Sequence, residues 1–215
     1  MHETPAPPGK GRDVQALALT FDDGPDPVWT PRILDALAAA RAHATFFPIA
    51  PRAAQQPELI ARMLAEGHAV GLHCDAHVRH TDRDAAWLRR DTASALAHLA
   101  SAGVRPTLWR TPWGVLAPWT ATVAAEHGLR LVPWTADTHD WRDDGALAMI
   151  ERIRERLVPG AIVLAHDGLG PGARRTDCAQ TLALIPRITA LALARGVELV
   201  ALGPARSRER TEAAA

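Results

Sequence analysis

The sequence predicts an α/β fold of repeated strand-then-helix units, and three observations carry that expectation. Short apolar runs rich in branched residues alternate with alanine- and leucine-rich stretches of helical period. Seven such runs recur at intervals of about 20 to 40 residues, close to the ~30 expected of one strand with its crossover helix. The 215 residues, 47% hydrophobic and 22% charged, suit one globular domain with a sizeable core. Repetition alone leaves two architectures open, an open doubly wound sheet and a closed barrel.

In chain order the strands are expected at residues 14–20, 44–49, 69–72, 107–110, 129–135, 161–165 and 197–201. The helices between them read as residues 31–41, 53–66, 82–101, 118–127, 145–157 and 177–195. Thr30 before Pro31 reads as a cap followed by a proline in the first turn, and Gly67, Gly103, Gly128 and Gly196 each read as a helix stop. No linker divides the series, so residues 14–204 form one expected domain, with residues 1–13 and 205–215 as flexible termini.

Composition excludes several classes of function. The 24 basic and 24 acidic side chains cancel, which leaves no global attraction for nucleic acid or an anionic membrane. The longest apolar stretches, residues 161–165 and 188–194, fall far short of the ~20 residues that cross a bilayer. Residues 1–13 carry proline, glycine and charge where an export signal needs an apolar stretch, so the chain reads as cytoplasmic as it stands, or as secreted if a leader has been removed. Cys74 and Cys178, far apart, are expected as free thiols. Oligomeric state is left open.

In both α/β architectures the working groups sit at the carboxyl ends of strands, and five polar clusters fall there. The first is Asp22-Asp23-Gly24-Pro25, where adjacent carboxylates read either as turn caps or as a cation ligand beside a free base. The second holds His73, Asp75, His77 and His80. Histidines four apart reach one ion if a helical turn begins there, whereas His73 with Asp75 imitates an iron site whose usual host is all-β. His80 reads as a surface residue.

Arg110-Thr111-Pro112-Trp113, Asp137-Thr138-His139-Asp140-Trp141 and Leu164-Ala165-His166-Asp167 complete the set. Together they supply metal-type ligands, spare carboxylates, a fixed cation and a late histidine, the parts that metal-assisted hydrolysis requires. Trp113 and Trp141 are assigned to a cleft; Trp87, Trp109, Trp119 and Trp134 stay open between cleft and core.

The order of these motifs resembles the polysaccharide deacetylases of carbohydrate esterase family 4, over residues 14–203. Residues 20–25 match the first motif in full. Residues 73–77 match the second except that Cys74 stands at a hydroxyl position, and Trp113 replaces the usual tyrosine of the third. The resemblance implies a distorted (β/α) barrel of about seven parallel strands and one divalent ion, commonly zinc, with cobalt or another divalent ion as alternatives, held by Asp23, His73 and His77. It further implies Asp22 as general base with Arg110 fixing it, the Trp113 backbone N–H as an oxyanion donor, and His166 as general acid. Asp140, in preference to Asp137, would orient His166, and Trp141 and Leu164 would line a pocket for the acetyl methyl. Cys74 brings the prospect of a thiolate near the ion.

The expected activity is removal of acetyl from N-acetylated amino sugars, either a glycan or a small acetylated substrate, with no nucleic-acid or membrane partner. An O-acetyl esterase or a small-amide hydrolase on the same scaffold is the alternative, and a non-catalytic carbohydrate binder is disfavoured by the full set of reactive residues.

Overall fold

A computed structural model describes residues 15–203. The expected loose termini and the first residue of the first predicted strand, Val14, lie outside the described residues. Among the described residues there are eight short strands: β1 (Ala16–Asp22), β2 (Ala44–Phe47), β3 (Ala69–Val70), β4 (Leu108–Trp109), β5 (Arg130–Leu131), β6 (Ala136–Asp137), β7 (Ile162–His166) and β8 (Glu198–Leu199). Their pairings are all parallel, as crossover helices require. One sheet runs β3-β2-β1-β7-β6, with β8 paired to the amino end of β1, and β4-β5 forms a second.

The two sheets join into a distorted barrel. A bridge from Leu72 to Trp109 links the β3 edge to β4. On the other side Val132 N–H donates to the Trp109 carbonyl and Thr135 N–H to that of Ile162, so residues 130–137 span from β4 to β7. Of the expected strand at 129–135 only β5 is regular strand, and β6 begins just past its end. Pro133 lies between them, and a residue without an N–H interrupts a ladder.

Among the described residues seven α-helices surround the barrel: α1 (Trp29–Ala39), α2 (Ala50–Gln55), α3 (Pro57–Ala65), α4 (Ala85–Ser101), α5 (Thr120–Glu126), α6 (Ala146–Ile153) and α7 (Ala179–Ala194). The single helix expected at 53–66 is broken at Gln56 (φ −136°, ψ 56°), because a residue before proline is driven out of the helical region by the ring of Pro57. Thr30 is not the cap of α1 but lies inside it. Asp26 Oδ1 instead accepts the N–H groups of Val28 and Trp29 at 2.8 Å. The four glycines expected to stop helices all have positive φ, between 66° and 84°.

Alternation along the strands sets which residues reach the site. Leu17, Leu19 and Phe21 of β1, Phe46 of β2, Trp109 of β4 and Val163 and Ala165 of β7 pack outward into the main core with the helices. The opposite parity faces inward, where Phe47, Leu108 and Val132 form a separate small cluster that fills the barrel. By the same period of two, Thr20, Asp22, Arg110, Leu164 and His166 point inward at the carboxyl ends. Above the apolar plug the barrel mouth is therefore polar. No helix among the described residues is long and apolar enough to cross a membrane.

Candidate active site

Arg110, 1% exposed, anchors the floor of the mouth. One terminal nitrogen donates to Thr20 Oγ1 at 2.6 Å and to Asp22 Oδ1 at 3.0 Å, and Nε donates to the Val132 carbonyl at 3.1 Å. Its guanidinium lies 4.4 Å from the Phe47 ring centroid, so the apolar plug supports the cation from below. Asp22 is consequently held in one orientation by a buried charge-assisted bond.

Beside it, Asp23, His73 and His77 converge, with one donor atom from each lying within 4.8 Å of the others. The convergence does not come from a helical turn, as the four-residue spacing suggests. Residues 73–77 form a bend instead, pinned where Asp91 of α4 accepts the N–H groups of Asp75 and Ala76. His73 Nδ1 lies 2.7 Å from the Arg110 carbonyl oxygen, which only accepts, so Nδ1 carries the proton and Nε2 presents a lone pair. That lone pair faces Asp23 Oδ1 at 3.3 Å, and His77 Nε2 faces the same oxygen at 3.2 Å. Asp23 Oδ1 is buried and makes no hydrogen bond.

Acceptors turned toward one another in a buried site need a cation, and a divalent ion fits this donor set. Burial pushes the Asp23 carboxyl upward, but His73 and His77 outweigh it and hold the group well below its ordinary range. Asp23 also adopts φ 73°, a conformation rare for a side-chain-bearing residue and one that turns its carboxylate to the histidines.

A second pole lies at the end of β7. His166 Nδ1 lies 2.7 Å from Asp140 Oδ1, and the His166 backbone N–H donates to Asp140 Oδ2 at 2.9 Å. Burial alone would lower the imidazole pKa, but the Asp140 carboxylate raises it to about 9, with smaller help from Asp23 and Asp22. Asp140, despite full burial, is brought down to about 2, chiefly by His166. Asp137 has a different task, accepting the N–H of His139 at 2.7 Å.

Asp22, Asp23, His73, His77 and His166 all open onto one cavity of about 430 Å³. Trp113, Trp134, Trp141 and Leu164 line it. Trp109 belongs to the core, and Trp87 and Trp119 pack partly buried against it. The indole faces at the cleft are not bare. Arg79 lies over Trp113 at 4.7 Å, and Arg142 and Arg174 flank Trp141 at 4.8 and 5.8 Å.

Three other expectations are corrected. His80 is 1% exposed, bonded to Thr120 Oγ1 at 3.0 Å and lowered by burial to about 4, so it is a neutral core histidine. Asp75 turns to His98 (2.8 Å) and Ser94 (3.0 Å), which removes it from any iron-type triad with His73. Cys74 is buried outside the ligand cluster, and burial pushes its thiol well above the ordinary range, so no thiolate is presented to the site. Both cysteines are free.

Several residues at the site were given no role by the sequence. Arg175, 6% exposed, donates to Asp140 Oδ2 at 3.0 Å, and Thr181 donates to the same oxygen at 2.6 Å. Asp167 accepts the Thr30 hydroxyl at 2.6 Å, and burial raises it to about 7. Arg52 ties the Asp23 carbonyl (2.7 Å) to that of Leu169 (3.1 Å). The sequence carried one usable signal for this region, the glycine-rich stretch 168–172. A Cβ on Gly170 would lie 1.9 Å from Asp23 Oδ2, so only glycine lets this loop pass over the carboxylate.

Fold and site together define a class: a β/α barrel with a His-His-Asp pole and a His-Asp pole on one cavity. The family model described as polysaccharide deacetylase matches residues 9–132, and the chain belongs to that family. It is 39% identical over 164 residues to a chitooligosaccharide deacetylase from Bradyrhizobium, covering 75% of each chain. To a peptidoglycan-N-acetylglucosamine deacetylase from Bacillus cereus it is 33% identical over 174 residues, covering 80% of this chain and 79% of the relative. A family 4 carbohydrate esterase from Streptomyces lividans, solved in complex with acetate, superposes with a TM-score of 0.78 at 31% identity, over 86% of this chain and 91% of that one.

Proposed function

We propose that the protein is a carbohydrate deacetylase that hydrolyses the acetamide of N-acetylated amino sugars. One observation carries the reading: a carboxylate fixed beside a cation-demanding cluster shares a cavity with a histidine held protonated. Those are the two proton-handling groups that amide hydrolysis needs at its two ends. Asp23, His73 and His77 would hold a divalent ion, with zinc the proposed identity, supplying Lewis acidity and lowering the pKa of a bound water toward roughly 7.

The chain's own residues divide the remaining work. Asp22, oriented by Arg110, accepts the proton of the attacking water. The acetyl methyl rests on Leu164, and the Trp113 backbone N–H is the proposed donor to the oxygen that becomes negative. His166 gives a proton to the departing nitrogen, because an amine anion is too poor a leaving group to depart unaided.

Acetate release from N-acetylated chitooligosaccharides, measured with and without a chelator, tests this reading; no chelator-sensitive release would reject it. The ligand assignment has a separate check. His73→Ala is expected to reduce bound metal from one ion per chain to a small fraction, and elemental analysis showing full occupancy would refute it. The cavity of about 430 Å³ has room for an acetylated ring and part of its neighbour. A short glycan is therefore the proposed substrate, with kcat/KM expected to level off by about two sugars. A steep rise through four or more sugars would show a longer cleft.

A further inference from the structure

We infer that Arg175 is a positioning residue for the proton donor, holding Asp140 and the end of β7 in one frame so that His166 stays aimed into the cavity. The inference rests on the deacetylase reading for what that donor does, and on geometry for how it is held. One terminal nitrogen of Arg175 donates to Asp140 Oδ2 at 3.0 Å and also bonds the Thr181 hydroxyl. The other donates to the carbonyls of His166 at 3.1 Å and Gly168 at 3.2 Å. The guanidinium thus grips the histidine's partner with one arm and the histidine's own backbone with the other.

A planar fork does this, and a lysine ammonium with a single nitrogen does not reach both sides in fixed geometry. Asp140 is 1% exposed, so water cannot replace a lost donor at Oδ2. Oδ2 takes three donors, from His166 N–H, Arg175 and Thr181, which leaves Oδ1 free for the imidazole alone. Without the frame the carboxylate can rotate, and the Nδ1–H bond that directs the ring loses its fixed acceptor. Its bond to the Gly168 carbonyl also ties Arg175 to the start of the loop whose Gly170 passes over Asp23.

The test uses the full chain with its metal, and compares Arg175→Lys, Arg175→Ala and Thr181→Val with the wild type. Two readouts are taken: the proton NMR resonance of the hydrogen-bonded His166 Nδ1–H, assigned by its loss in His166→Gln, and kcat and KM on an N-acetylated chitooligosaccharide. The expected result is a broadened or upfield-shifted Nδ1–H in both Arg175 variants and a milder change in Thr181→Val. With it, kcat should fall roughly tenfold to a hundredfold with KM little changed, the scale on which misplacing a reacting group acts. A resonance identical to wild type in Arg175→Lys and Thr181→Val would overturn the proposal, whatever the thermal stability. A raised KM at unchanged kcat would also overturn it, by making Arg175 a substrate contact. Thr181→Val keeps the question open to decision if Arg175→Ala fails to fold. If the wild type releases no acetate, the deacetylase reading fails, while the NMR comparison still decides whether Arg175 holds the pair.

Discussion

Asp22→Asn is expected to keep its metal and its fold and to lose turnover by about 10²- to 10⁴-fold, the contribution of a positioned general base. Asparagine has the shape of aspartate and its amide oxygen can still accept from Arg110, which is anchored besides by Thr20 and the Val132 carbonyl. The ligand cluster is built from the neighbouring Asp23, whose carboxylate points to His73 and His77 and not to Arg110. What the substitution removes is the lone-pair basicity of one carboxylate at the mouth of the cavity. Rates of acetate release and metal content measured on the same preparation decide the matter. Turnover within a few-fold of wild type would take Asp22 out of the proton transfer, and loss of metal would make it a ligand instead.

Much of this site was legible in the sequence because strand alternation is strict. Once residues 16–22 and 162–166 are strands, Leu17, Leu19 and Phe21 and then Val163 and Ala165 must face the helices, which leaves Asp22 and His166 at the inner mouth. The adjacency of Asp22 and Asp23 likewise sends one carboxylate to Arg110 and the other to the histidines.

What stayed hidden depends on contacts distant along the chain. His80 looked like one more polar residue after a strand, and only its packing against Trp109 and Thr120 makes it core. Arg175 lies 35 residues from Asp140 in a glycine-rich loop with no periodicity to place it. The convergence of His73 and His77 needs Asp91, supplied by a helix whose first turn starts eight residues after His77. Local breaks at Gln56 and Pro133 were written in the sequence as proline positions, but a strong apolar pattern on either side masked them.

The alkaline limb of the pH profile should belong to His166, and the two aspartates of the fourth cluster should affect it differently. In the wild type the imidazole pKa is about 9, so the donor stays protonated through neutral pH and kcat/KM falls only as pH rises through that value. Burial by itself pulls this histidine down, and Asp140 is the largest influence opposing it. Asp140→Asn removes the largest opposing charge and leaves the burial and the weaker pull of Asp23 and Asp22, so the limb should fall to near the ordinary imidazole value of about 6.5. At pH 8 the protonated fraction then drops from nearly all to a few per cent, a loss of about thirtyfold in kcat/KM before any change in ring orientation is added. Asp137 touches His139 and not His166, so Asp137→Asn should leave the limb near 9. Activated acetyl esters, whose leaving groups depart without a proton, should feel Asp140→Asn far less than acetamides do. Profiles of kcat/KM from pH 5 to 10 on both substrate types provide the measurement. An unmoved limb in Asp140→Asn, or equal losses on ester and amide, would assign His166 to binding and require another proton donor.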